Sequence, residues 1–139
     1  MEINQEMYRN LYINLYKAQN NISKFSTRSN LKQHELTYPQ YLILNILWND
    51  EPVKVVQIVE LLGADTGTVS PLLKRMESKN LIKRLRSDVD QREVIIYLTE
   101  KGKNLESVLD KSVYEGSAIS SLSSKEIIEL NSLLLKIIE

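Results

Sequence analysis

Residues 55–80 constrain this chain more tightly than any other stretch, because two short helical patterns meet there across a two-residue gap. Val55, Ile58, Val59 and Leu62 share one face of a short helix. Gly63 stops it, since glycine takes the left-handed backbone conformation of a helix end without strain. Only Ala64 separates that glycine from Asp65, a good N-cap for a second helix that runs to about Asn80. Two short helices on a tight glycine-containing turn are a helix-turn-helix. The period then changes. Residues 81–86 and 93–98 suit strands, and the polar run Ser87-Asp88-Val89-Asp90-Gln91-Arg92 between them predicts a β-hairpin with a charged tip.

Helices frame this centre. In residues 5–29, Met7, Tyr8, Leu11, Tyr12, Leu15, Ala18, Ile22 and Phe25 recur at intervals of three and four and predict a long amphipathic helix. Thr37 and Gln40 hold capping-box positions with Pro39 in the first turn, where a missing N–H costs nothing. That helix runs through Tyr41, Leu44 and Leu47 to Trp48 and breaks at Asn49-Asp50-Glu51-Pro52. Thr99 caps a long helix over about 100–118. After a serine-rich link, Ser123 and Glu126 box the start of a last one, with Ile127, Leu130, Leu134 and Ile137 on one side. The expected fold is mainly α with a small β-hairpin wing: a winged helix-turn-helix flanked by long terminal helices. At 139 residues the chain is of single-domain size.

The net charge is zero, with 18 Lys+Arg against 18 Asp+Glu, but its distribution is uneven. Residues 66–92 hold Lys74, Arg75, Lys79, Lys83, Arg84, Arg86 and Arg92 against Glu77, Asp88 and Asp90, so this segment is +4 and the remainder −4. A basic patch recruits phosphate by releasing condensed counterions; taken alone it reads first as a solvated face, and the architecture around it shifts the balance toward phosphate. With no cysteine, a disulfide framework, a thiolate metal site, a catalytic thiol and a thiol redox switch are all excluded. No apolar run approaches the roughly 18 residues that span a bilayer. The N-terminal MEINQEMYRN is polar and acidic, unlike a secretory leader, so a cytoplasmic location is the default expectation.

At 100° per residue from Asp65, Val69, Leu72, Leu73 and Met76 cluster on one face and must turn to the core. Gly67, Pro71, Lys74 and Ser78 then face outward, flanked by Thr68, Ser70 and Arg75. A helix that starts small and hydroxylated and becomes basic suits close entry into a DNA major groove. Pro71 breaks a local rule, because its missing N–H leaves the Gly67 carbonyl without its usual donor. It either shapes the groove-facing surface or is a harmless kink. At the hairpin tip, Asp90 and Arg92 fall on one side if the segment is extended, so the carboxylate can orient a guanidinium aimed into a narrow minor groove.

The runs LTYPQYLILNILWNDEPVKV, DTGTVSPLLKRMESKNLIKR and RSDVDQREVIIYLTEKG resemble the MarR family of bacterial winged-helix regulators. Within it they are most similar to the branch of the organic-hydroperoxide regulators and MgrA. The resemblance implies an obligate homodimer: a dimerisation helix and link over 1–36, a DNA-binding lobe over 37–99, and dimerisation helices over 100–139. It implies a sequence-specific regulator, a repressor by expectation, that reads a pseudo-palindromic operator in double-stranded DNA. Thr66, Thr68, Ser70, Pro71, Lys74 and Arg75 match the family's major-groove region. Arg92 matches the wing arginine, Asp90 the acid that steadies it, and Arg86 falls at a backbone-contact position. One departure stands out. The branch carries a sensing cysteine in an L-C-F-x-L-Y motif, and here Tyr12 stands in its place within Leu11-Tyr12-Ile13-Asn14-Leu15-Tyr16. Peroxide sensing by that thiol cannot operate.

Tyr8, Tyr12 and Tyr16 form a stripe which, with Tyr38 and Tyr41, either lines a pocket for a small aromatic or phenolic effector or simply packs at the dimer core. His34 is the sole histidine, and a zinc site needs three or four ligands, so no metal and no cofactor is expected. Glycine-rich phosphate loops, nucleophile elbows and a triad arrangement are absent, which excludes the usual enzyme classes. The competing expectations are a winged-helix protein-interaction module and a constitutive DNA binder with no effector.

Overall fold

The computed structural model describes residues 1–26, 31–115 and 117–139. In chain order the elements are α1 (Gln5–Ser26), α2 (Tyr38–Asp50), β1 (Val53–Lys54), α3 (Val55–Leu62), α4 (Thr66–Ser78), β2 (Ile82–Arg86), β3 (Val94–Leu98), α5 (Glu100–Glu115), a 3-10 turn (Ala118–Ser121) and α6 (Ser124–Ile138). The expected continuation of α1 over 27–29, and of α5 at 116, lies outside the described residues; the last two positions of the expected 100–118 helix are instead a bend at Ser117 and the start of the 3-10 turn at Ala118.

The helix starts follow from local chemistry. Gln40 N–H donates to Thr37 Oγ1 at 3.3 Å, and Thr37 N–H donates back to Gln40 Oε1 at 3.1 Å. Gly63 closes α3 at φ 61°, and the Asp65 carboxylate accepts Thr68 N–H at 2.7 Å to open α4. Ser123 and Glu126 exchange the same pair of bonds at the start of α6, at 2.7 and 3.2 Å. The last turn of α4 stops two residues before the expected Asn80. Asn80 takes φ 60°, its N–H reaches Glu77 O at 2.9 Å and Leu81 N–H reaches Met76 O at 3.0 Å. That pair of bonds is a Schellman stop, and asparagine tolerates the left-handed position it needs.

The wing has one strand more than the hairpin expected from sequence. The sheet order is β1-β3-β2, antiparallel throughout, with Val53 opposite Ile96 and Arg84 opposite Ile96 on the other side. Two residues carry no alternation of their own. Only the approach of β3 makes Val53 and Lys54 a strand, and Glu51 extends the joint by accepting Leu98 N–H at 2.8 Å.

The core lies between α2, α4, the sheet and the start of α5. Ile43, Leu44, Leu47, Ile58, Val69, Met76 and Ile96 have no exposed surface. Leu72, expected on the inner face of α4, is only partly buried at its border. Burial of each such side chain stabilises the fold by about 1.5–3 kcal/mol. The first turn of α5 is fitted against the α4–β2 junction. Trp48 Nε1 donates to Gly102 O at 3.0 Å, and a Cβ on Gly102 would run into the Leu81 carbonyl oxygen. The ends of the chain are different. No residue of α6 is buried, and α1 leaves Met7, Tyr8, Leu11, Tyr12 and Tyr16 exposed.

Gly102→Ala is expected to destabilise the protein by about 2–3 kcal/mol, because the obstructing atom is backbone and cannot step aside. Urea unfolding at fixed protein concentration measures this, and an unchanged midpoint would show that the start of α5 moves freely.

Candidate nucleic-acid interface

Burial of Val69, Leu73 and Met76 decides which side of α4 remains outside. Thr66, Gly67, Thr68, Ser70, Pro71, Lys74, Arg75 and Ser78 are all exposed. The helix is unbroken through Pro71, which sits on this open side. The Asp65 carboxylate, accepting the amide of Thr68, offsets part of the positive end of the helix dipole at the first turn. Lys74, Arg75 and Lys83 form no ion pair among the described residues, so their charge is available to a ligand.

The wing tip is a built turn, as the polar run 87–92 predicts, and not the extended course that would by itself align Asp90 with Arg92. Ser87 Oγ accepts the N–H groups of Val89 at 3.2 Å and Asp90 at 3.3 Å, and Glu93 N–H reaches Asp90 O at 2.9 Å. Arg86 donates to the Gln91 carbonyl at 2.8 Å. The turn brings Asp90 to Arg92 even so: Asp90 Oδ1 accepts Arg92 N–H at 3.0 Å and Nε at 3.2 Å, and Oδ2 lies 3.5 Å from Nη2. The Arg92 side chain is 92% exposed, so the guanidinium is aimed but remains in solvent. The backbone N–H of Arg92, then its guanidinium, hold the Asp90 carboxyl below its ordinary value.

Four further charged residues belong to this surface. A cleft of about 330 Å³ separates α4 from the wing, with Thr66 and Ser70 on one wall and Arg84 and Arg92 on the other. Lys54 also lines it, paired with Glu93 at 3.1 Å. Arg84 is tied to Glu77, whose carboxyl its guanidinium pulls below the ordinary value. Sequence reasoning missed Lys54, Glu77 and Glu93. Lys54 and Glu93 fall outside the 66–92 charge window, and the Glu77–Arg84 contact spans a helix end and a strand, which no periodicity links.

The five tyrosines are not gathered. Tyr8, Tyr12 and Tyr16 lie on the open side of α1 at 52, 72 and 72% exposure, while Tyr41 is in the core, edge-on to Trp48 with ring centres 6.1 Å apart. Tyr38 is half-buried against that core. His34 is half-buried beside Lys79 and Lys101, and no cluster of three metal-ligating side chains occurs among the described residues.

Both lowered carboxyls imply one sign of pH dependence. Their pairings persist above the ordinary values of 3.8 for Asp90 and 4.5 for Glu77, and are lost as pH falls through the lower folded values. A carbon-13 carboxyl titration should place both midpoints below those figures. An Asp90 midpoint at or above its ordinary value would remove the tip pairing.

The sequence profile of the family described as "Transcriptional regulator SarA/Rot" matches residues 24–109. The HTH-type transcriptional regulator MgrA of Staphylococcus aureus is 49% identical over 128 residues, covering 92% of this chain and 87% of that protein. Reduced AbfR bound to DNA matches with a TM-score of 0.79 at 29% identity, over 96% of this chain and 97% of that one. AbfR is from Staphylococcus epidermidis. A mutant MarR from E. coli in complex with operator DNA shares the fold at a TM-score of 0.80 and 21% identity, over 94% of each chain. These relatives are regulators, not enzymes, and no helix among the described residues is long and apolar enough to cross a membrane. By family profile, relatives and fold together, the chain belongs to the MarR/SarA family of DNA-binding winged-helix transcriptional regulators.

Proposed function

We propose that this protein is a homodimeric repressor that grips a pseudo-palindromic operator, with α4 of each copy in a major groove and each wing tip in the adjoining minor groove. The observation that carries this is the shared orientation of two readers: the open face of α4 and the exposed Arg92 border one cleft. AbfR, similar over nearly its whole length, has been solved on DNA. In this reading Thr66, Thr68 and Ser70 meet base edges or phosphates at the helix start, where Pro71 keeps the approach close. Lys74 and Arg75 supply charge and guanine readout. Arg86 braces the tip and contacts the backbone, Asp90 holds Arg92 in aim, and Arg92 enters the minor groove.

The second copy answers a surface problem. The chain exposes 10226 Å². A compact monomer of 16.1 kDa would expose about 7,400 Å². The excess is about 2,800 Å² per chain, or about 5,600 Å² for a pair, in the upper range of what an obligate dimer buries. Much of it is apolar, on α1 and on α6, where Ile128, Leu133, Leu135, Ile137 and Ile138 are all more than half exposed. Tyr8, Tyr12 and Tyr16 serve that interface, and a phenolic effector would have to compete with the partner for them. With no cysteine, control by thiol oxidation has no reacting atom here. Two lobes lying across a promoter exclude polymerase, so repression is the expected output.

Light scattering at working concentration should give twice the chain mass, and a monomer would end this reading. Genomic fragments selected by the purified protein should yield paired half-sites about one helical turn, roughly 34–36 Å, apart. With about six phosphate contacts, affinity should fall about a thousandfold between roughly 50 and 200 mM salt. A flat salt response would count against groove binding. Arg92→Ala should cost about tenfold at half-sites flanked by A·T-rich sequence and little at others. Equal loss at both would remove the minor-groove role.

A further inference from the structure

We propose that Glu77 is a positioning residue for DNA recognition, tying the end of α4 to the free edge of β2 through Arg84 and so setting the angle between helix and wing. This rests on the groove-binding reading above. Leu81 accepts Thr99 N–H, and Ser87 N–H reaches Glu93 O, so the odd-numbered residues of this strand face β3. The even-numbered ones turn their backbone groups to the open edge. Glu77 occupies that edge at Arg84. Its Oε2 accepts Arg84 N–H at 3.1 Å, while Oε1 accepts Nε at 3.2 Å and Nη2 at 3.0 Å. Only Lys79, Asn80 and Leu81 separate α4 from β2, and Asn80 holds the left-handed turn. A short link and a three-bond clamp together leave the joint no free hinge.

The clamp contributes direction more than stability. Its side chains are 31 and 38% exposed, and pairs in such positions add little to folding. A guanidinium fork on a carboxylate, by contrast, accepts a narrow range of orientations, which an apolar contact does not impose. Leverage makes that range matter. Thr66 lies eleven residues from Glu77 along α4, about 16 Å. A tilt of about 10° at the clamp displaces the helix start by about 3 Å, the length of a hydrogen bond. Glu77 also neutralises Arg84, which faces the cleft beside Arg92. Removing the acid therefore loosens the specific fit and at the same time strengthens indiscriminate attraction to phosphate. Simple loss of folded protein lowers both affinities together.

The test starts from the best duplex that the wild-type full chain selects from a random pool. Wild type, E77Q, R84K and the double variant are then titrated on that duplex and on a scrambled one at a single salt concentration. The ratio of the two affinities should fall about tenfold in E77Q and in R84K, which keeps the charge but not the fork. Scrambled-duplex affinity should rise two- to threefold in E77Q and stay flat in R84K, each figure being about one phosphate contact or none. The double variant should lose no more than the worse single. A folded single variant with the wild-type ratio, or losses that add in the double, would overturn the proposal. If E77Q does not fold, R84K decides. A wild type that selects no site overturns the groove-binding reading itself, and this proposal with it.

Discussion

Everything on the open side of α4 depends on the burial of one helix face. Val69, Leu73 and Met76 are sealed in the core, and at 100° per residue this leaves Gly67, Pro71, Lys74 and Ser78 no direction but outward. The same three side chains set how α4 lies against α2 and the sheet. A charged or polar residue at any of them would disturb the exposed face of α4 without touching it, because core and surface are two sides of one rotation.

The charged groups follow a division of labour that a total of zero conceals. Some are spent within the protein: Arg84 on Glu77, Lys54 on Glu93, Arg86 on the Gln91 carbonyl, and Lys79 on the Glu35 carbonyl. These bonds shape the wing and its joint with α4. Lys74, Arg75 and Lys83 carry charge outward. Arg92 does both, since Asp90 orients its guanidinium and leaves 92% of the side chain in solvent. A preformed tip of this kind lowers the ordering cost of entering a narrow groove.

The terminal helices differ from the lobe between them. The lobe between them has a closed core, while no residue of α6 is buried and α1 turns its aromatic stripe to water. The start of α6 is closed by the Ser123–Glu126 box, so this helix is specified locally while its apolar side stays exposed. In the family reading that side lies against another copy, and the spacing of two DNA-reading lobes is then a property of the interface more than of either lobe.

Local chemistry along the chain was enough to place most elements. Helix caps at Thr37, Asp65, Thr99 and Ser123, the glycine stop at 63 and the two strand patterns are legible because each depends on residues within a few positions of one another. The outward face of α4 was legible for the same reason, as helical period converts spacing into direction. Three features were not. β1 exists only because β3 reaches Val53 and Lys54. The wing tip was legible as a turn, but the bonds that build it, in which Ser87 and Asp90 gather backbone N–H groups, were not. The Glu77–Arg84 clamp joins a helix end to a strand edge, and its meaning comes from the angle between them. Contacts between elements depend on how packed bodies meet in space, and a one-dimensional pattern carries no record of that.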